Sequence, residues 1–502
     1  MVDAWQRFDQ QKLRDLIDNK RYFILHAPRQ TGKTTMMRAF ARHLTAEGRV
    51  AALYVNIEAA QSFRNNTEKV NSVILSELNI AARIGLPQAL RPHAEHFQVQ
   101  EPGNGLRECL THWCLDLDRP LILFIDEIDA LIGDGLLSIL RQLRAGYNDR
   151  METFPRSVCL IGVRDIRDYR IFSEKEQRHI VGGSAFNIKE KSLVLENFNL
   201  EHVTALFTQH TRETGQVFED AAVAGAFHMT EGQPWLVNAL GRELCFEDPP
   251  VAGGATITAA HVNTAVERLI RRRDVHLDQL ADKLTEPRVA RVVQDILLSG
   301  QGPGTGEITN DDRQYALDLG LIRKGRLGWE IANPIYREVI PRELTSVMED
   351  QIGQDPRNYV TSQGKLDLEK LLAELIVFYR QHHELITKRK TYTEAAHHLV
   401  FMAWLHRVVN GGGSIEREYA VGLGRMDLHI SFGGEEFAIE LKLHHKGALA
   451  EGKEQLTRYL ERLGLDHGYL ILFRRGNIKN VDEIGTREEL VHKGRKISVI
   501  LF

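Results

Sequence analysis

An α/β fold is predicted for the first 200 residues of this 502-residue chain, and three observations predict it. Short apolar runs of strand length alternate with longer helical patterns, as in a parallel sheet with crossover helices. The first run, residues 22–25, leads straight into A-P-R-Q-T-G-K-T-T at residues 27–35, the composition of a loop that cradles phosphate at a helix N-terminus. A later run, P-L-I-L-F-I-D-E-I-D at residues 120–129, is apolar until it ends in acids, as a strand buried on both faces does at its carboxyl end.

Taken in order, strands are predicted at residues 22–25, 50–57, 121–125, 158–163 and 192–195. The loop after the first strand departs once from its template, because Ala27 stands where the first glycine belongs. Gly32, Lys33 and Thr34 fit, and Arg29, Gln30, Thr31 and Thr35 complete the predicted phosphate-binding segment. Lys33 is expected to reach the outer phosphates and the Thr34 hydroxyl to ligate magnesium, so ATP and Mg2+ are the expected cofactors. A glycine serving turn geometry alone is the other reading of this segment. Asp126 is predicted to hold magnesium, and Glu127 to orient and deprotonate the attacking water; Asp126 as a plain helix cap is the alternative.

After the strand at 158–162 come Arg164 and Asp165, at the sheet edge where a nucleotide sensor belongs; a surface ion pair in a turn fits equally well. Arg141, Arg144, Arg150 and Arg178 are read as lying on or after helices that face a neighbouring subunit, with a homo-oligomer in view.

Composition narrows the classes. With 43% apolar and 26% charged residues the chain reads as an ordinary globular protein of three or four domains. A net charge of −4 means that nucleic-acid binding must rest on local basic patches. Cys109, Cys114, Cys159 and Cys245 lack the spacing of a zinc site or a disulfide framework. Neither a signal region nor a membrane span is read, so a cytoplasmic location without membrane contact is expected.

Residues 200–275 turn purely helical, broken by G-Q-P-W at 232–235. Phosphate loop, paired acids, sensor strand and this helical region together resemble the archaeal-type and signal-transducing (STAND-like) AAA-related ATPases. The resemblance implies a core at residues 1–200, a helical lid at 201–275, and Pro234 packing near the adenine to couple lid position to nucleotide state. Taken alone, Gly-x-Pro is a helix breaker. Residues 276–350 hold a helical segment, a Gly/Pro-rich loop at 299–306, a helix at 311–319, and short strands at 321–323 and 327–331 around Gly325. That order reads as a winged helix, and N-P-I-Y-R-E-V-I at 333–340 resembles the segment closing such modules in the same ATPases. Lys324 and Arg326 on the wing are too few to decide for DNA.

The polar stretch 351–358 reads as a linker to a last domain, 351–502. There R-M-D-L-H-I-S-F-G-G-E-E-F-A-I-E-L-K-L at 425–443 is a hairpin turning at Gly433-Gly434. That turn pairs Leu428 with Ile439 and Ile430 with Phe437 on an apolar face, and brings Asp427 opposite Glu440 on the other. Opposed carboxylates about 5 Å apart at their β-carbons repel unless a cation lies between them, and Lys442 follows on the same face. Asp, then Glu-x-Lys on the next strand, resembles the core of PD-(D/E)XK nucleases and restriction-endonuclease-like domains. The resemblance implies that Asp427 and Glu440 hold Mg2+ while Lys442 activates water, with Glu394 on a predicted helix at 393–409 as a further metal residue. Glu418, Gln455, Tyr459 and a strand at 469–473 fit the same pattern. Glu-x-Lys on a solvated sheet edge is the bland reading. His397, His398, His444 and His445 read as solvated, and the basic residues 388–390 and Arg474-Arg475 as a surface or a nucleic-acid track.

The expected protein is thus an ATP-hydrolysing regulator of a Mg2+-dependent nuclease acting on nucleic acid, DNA more than RNA. An ATP/ADP switch whose nuclease-like domain binds nucleic acid or a partner without cutting is the alternative, and a pure ATPase motor the third.

Overall fold

The computed structural model describes residues 7, 9–98, 101–166, 169–174, 176–247, 254–272, 282–299, 308–325, 328–337, 339–340, 359–388, 401, 413–421, 424–444, 447–474 and 483–502, with the backbone alone at scattered positions and over 381–388, 413–421 and 424–427. They divide into two units. One comprises residues 1–276, 309–324 and 331–335; the other comprises 277–308, 325–330 and 336–502.

The first unit is built on a five-stranded sheet of β1 (Tyr22–His26), β2 (Ala51–Asn56), β3 (Leu121–Asp126), β4 (Ser157–Gly162) and β7 (Lys189–Val194), ordered β2-β3-β4-β1-β7. Every pairing among them is parallel. All five predicted strands are present, within one to three residues of their expected ends. Alternation explains why these runs are apolar throughout: Tyr22, Ile24, Leu121, Leu123 and Ile125 pack into one core, and Phe23, Leu25, Ile122 and Phe124 into the core on the other face. Helix Lys33–Ala46 covers the second face through Met36, Met37, Phe40 and Leu44. Helices Thr67–Gly85, Gly105–Asp116 and Gly133–Gly146 cover the first.

Between β4 and β7 lies an antiparallel hairpin, β5 (Arg170–Ser173) with β6 (Arg178–Val181), which the sequence pattern did not announce because its strands are only four residues long. Arg178, expected on or after a helix, lies on β6 and pairs with Glu176 at 2.7 Å. Beyond β7 the chain is helical as predicted, with Leu200–Thr214, Asp220–Thr230, Pro234–Arg242 and Ala259–Arg272. Pro234 opens its helix at a position where the missing N–H costs nothing, and Gln233 caps it by accepting from the Leu236 N–H at 2.6 Å. Helix Asn310–Asp318, capped by Thr309, precedes the short strands β8 (Ile322–Lys324) and β9 (Trp329–Ile331).

The second unit centres on a six-stranded sheet ordered β10-β11-β12-β13-β15-β14, made of β10 (Gly413–Val421), β11 (Gly424–Phe432), β12 (Glu435–Leu443), β13 (His467–Phe473), β14 (Thr486–His492) and β15 (Arg495–Leu501). β10, β11 and β12 form an antiparallel meander; β12, β13 and β15 are parallel, joined from β12 to β13 by helix Ala448–Leu463. Helix Leu368–Lys388 covers one face through Leu371, Leu372, Leu375 and Tyr379, against Leu428, Ile430, Ile439, Ile471 and Phe473. Helix Ala448–Leu463 covers the other through Leu456, Tyr459 and Leu460, against Ala438, Leu470 and Leu472. The hairpin register is the predicted one, with Leu428 opposite Ile439 and Ile430 opposite Phe437. Gly433 and Gly434 turn it at φ of 57° and 81°, and a Cβ on Gly433 would collide with the Gly364 carbonyl oxygen. Among the described residues no helix is long and apolar enough to cross a membrane.

Candidate functional site

Parallel pairing brings the carboxyl ends of the first unit's strands to one edge. His26 pairs with Gly162 and Asn56 with Asp126, so the loop after β1, the acid ending β3 and the residues after β4 emerge together. β4 lies between the strand carrying the loop and the strand carrying Asp126. Its sequel, residues 163–165, therefore comes out between the two.

The missing first glycine of the loop has a local explanation. Ala27 is not among the residues with positive φ, its side chain is buried in the core, and its N–H donates to the Gly162 carbonyl at 3.2 Å. A Cβ is thus accommodated there. Gly32 is different: it sits at φ 87°, where an L side chain is strained, and opens helix Lys33–Ala46. The first N–H groups of that helix are the donors a phosphate needs. Lys33 is buried and donates from Nζ to the Ala27 and Pro28 carbonyls at 2.8 Å each. Burial pulls its pKa down, against the carboxylates of Asp126, Asp129 and Glu127. Arg29, Gln30 and Thr35 are exposed, and Thr31 is buried.

Asp126 is fully buried and held on both oxygens. Oδ2 accepts from the Thr34 hydroxyl at 2.7 Å and from the Tyr54 hydroxyl at 2.5 Å, while Oδ1 accepts from the Glu127 N–H at 2.8 Å. Glu127 takes a left-handed conformation, φ 60° and ψ 42°, a strained state for a non-glycine residue that recurs at functional sites. Burial, then the neighbouring Asp126 charge, raises its pKa. A hydroxyl and a carboxylate 2.7 Å apart are hard oxygen donors of the kind magnesium takes, so Thr34 and Asp126 fit that ion.

Three participants escaped the sequence reading. Tyr54, on β2, reaches Asp126 across the sheet and carries no motif. Asp129, the last acid of D-E-I-D, accepts from the Val163 N–H and ties the acidic turn to the end of β4. Arg7 donates to the carbonyls of Thr31 in the loop and Glu196 past β7, with its guanidinium 4.5 Å from the Phe198 ring centroid. Arg164 does not meet Asp165. It donates from Nε to Asp318 at 3.2 Å, whereas Asp165 accepts from Ser192 at 2.5 Å. Pro234 is buried in a corner that closes on Phe198, whose N–H donates to the Gly232 carbonyl at 2.8 Å.

In the second unit Glu440 and Lys442 share the sheet face covered by helix Ala448–Leu463, two positions apart on β12, with Lys442 Nζ 2.9 Å from Glu440 Oε1. Glu440 is fully buried and Lys442 partly exposed. Gln455 and Tyr459 lie on that helix and hydrogen-bond each other at 3.1 Å. Asp427 stands on β11 just before Leu428, as Glu440 stands just after Ile439, the partner of Leu428. The side chains of Asp427 and Glu418, and Glu394, Arg326, His397, His398 and His445 altogether, lie outside the described residues. Among the described residues no group of three or more His, Cys, Asp or Glu side chains gathers as a metal site.

A parallel five-stranded sheet with Gly-Lys-Thr after one strand and a magnesium-type carboxylate after another is the P-loop NTPase fold. Residues 16–169 match the family described as AAA domain, so this unit carries an AAA-type ATPase domain. Residues 349–477 match a family described as domain of unknown function (DUF8371). Among solved structures, the Walker-type ATPase PABY2304 of Pyrococcus abyssi is similar at 16% identity and a TM-score of 0.46, over 68% of this chain and 96% of that one. The ORC2 protein of Aeropyrum pernix, in ADPNP–ADP complexes, is similar at 14% identity and 0.41, over 68% and 94%. The RuvB Holliday junction branch migration motor of Thermotoga maritima is similar at 14% and 0.34, over 66% and 95%. No curated protein matches the chain.

Proposed function

We propose that the first unit binds and hydrolyses Mg·ATP, and that the second is a PD-(D/E)XK-like domain whose phosphodiester cleavage the nucleotide state regulates. The observation that carries the first part is the Thr34–Asp126 contact of 2.7 Å beside the Gly32–Lys33 helix start. Lys33, now satisfied by two loop carbonyls, would exchange them for phosphate oxygens. Bound magnesium would neutralise phosphate charge at Thr34 and Asp126. Glu127, with its raised pKa, accepts the proton of the attacking water. Residues 276–350 are read as a winged-helix module, with support from helix Asn310–Asp318 and the short strands β8 and β9, and the chain's partners on this reading are DNA and further copies of itself.

For the second unit, support comes from the order helix, three-stranded antiparallel meander, helix, parallel strand, with Glu440 and Lys442 on one face of β12. One observation favours a second reading, in which this domain binds nucleic acid without cutting it: Glu440 is fully buried and engaged by Lys442.

The test is ATP turnover and cleavage of single- and double-stranded DNA and RNA in Mg2+ or Mn2+, on purified full chain. Lys33→Ala should abolish nucleotide binding. Glu127→Gln should keep binding and lose roughly 10²- to 10⁴-fold in turnover. Asp427→Ala or Lys442→Ala should abolish cleavage; if wild type cuts no substrate while ATP turns over, the binding-only reading stands.

A further inference from the structure

Residues 309–324 touch the candidate nucleotide site at three points. Asp318, the last residue of helix Asn310–Asp318, accepts from Arg164 Nε at 3.2 Å, and Asp311 on the same helix has its Oδ1 3.7 Å from Arg164 Nη2. Gln314 donates to the other Asp318 oxygen at 2.8 Å, and the Tyr315 ring centroid lies 4.7 Å from the guanidinium carbon. Just past the helix, Gly320 turns at φ 75°, with its Cβ position 2.7 Å from Pro28 Cγ in the phosphate loop. Arg323 then pairs with Glu231, at the corner before Pro234. One segment therefore holds the end of β4, the phosphate loop and the lid corner together.

Arg164 emerges between the loop and Asp126. Gly162, two residues earlier, accepts from Ala27, and Val163 is fastened to Asp129. Asp318 is 6% exposed and burial raises its pKa, so it is a carboxylate that depends on a cation partner.

We propose that Asp318 stands in for the terminal phosphate of a nucleoside triphosphate: it occupies Arg164 until that phosphate arrives, so that residues 309–324 form a latch released by ATP and not by ADP. The proposal rests on the ATP-site reading above. Arg164 meets Asp318 through Nε and Asp311 through Nη2, and a terminal phosphate, which carries more charge than either carboxylate and offers several oxygens to the same fork, competes with both. A ligand shifts an equilibrium only by its differential affinity for the two states. ADP and ATP differ in the one group that competes for Arg164, which is why only ATP opens the latch.

The experiment is amide hydrogen exchange on the full chain without nucleotide, with Mg·ADP and with a slowly hydrolysed ATP analogue, alongside direct nucleotide binding by fluorescence. The ATP analogue should raise exchange in residues 309–324 roughly ten-fold, the scale of one charge-assisted buried hydrogen bond, while ADP leaves it unchanged. Asp318→Asn should raise exchange there without nucleotide and narrow the difference between ADP and the ATP analogue. Asp311→Asn, at a more exposed residue that threatens the fold less, should do the same more weakly. Nucleotide binding with equal exchange in all three states, or an Asp318→Asn variant that exchanges like wild type, overturns the latch alone. Absence of any binding signal overturns the site and the latch together.

Discussion

Asp129 is the residue at which the acidic turn and the end of β4 are fastened, and its titration is exposed to measurement. Burial raises its pKa to about 6, above the value of about 3.9 for an unfolded aspartate. The folded chain thus holds this proton more tightly than the unfolded one. Its contribution to stability is complete below the unfolded value and is lost as pH rises through about 6. Asp129→Asn removes that loss and keeps an oxygen for the Val163 N–H. The melting temperature of the variant relative to wild type should therefore rise between about pH 4.5 and about pH 7.5. A flat difference across that range would show that Asp129 does not titrate there. Ala27 teaches a related lesson: a template glycine is dispensable where φ is negative and Cβ has a core to enter, whereas Gly32 at φ 87° is not.

At the scale of elements, the β11–β12 hairpin was legible because its turn and its alternation agree. A one-residue slip would carry Leu428 and Ile430 out of the core, so register follows from pattern. Gly433→Ala places a side chain at φ 57° against the Gly364 carbonyl oxygen. It should lower the stability of the second unit by about 1–3 kcal/mol, read as a drop in its denaturation midpoint, with ATP binding unaffected. The β5–β6 hairpin was not legible. Four-residue strands are too short to carry a periodic signal, and their pairing is a tertiary event.

Two units in one molecule predict two thermal transitions, only one of which answers to nucleotide. Mg·ATP at about 100 times its dissociation constant should stabilise the first unit by roughly 2.7 kcal/mol. Calorimetry should show that transition shift in wild type and in Lys442→Ala, and stay put in Lys33→Ala. A shift that survives Lys33→Ala would remove Lys33 from nucleotide binding.

What the sequence by itself determined is whatever lies within one stretch of chain: five strands from their apolar runs, the Gly32-Lys33-Thr34 loop from its spacing, Asp126 and Glu127 from their place at the end of the apolar run of β3, and the Gly433-Gly434 register. Only tertiary structure decided which distant residues meet. Tyr54 reaches Asp126 because β2 and β3 are neighbours, and Arg164 turns from Asp165 to Asp318, 154 residues away. The physical reason is that local pattern records which face of an element must be buried, whereas a buried charge takes whichever partner packing brings within hydrogen-bond reach.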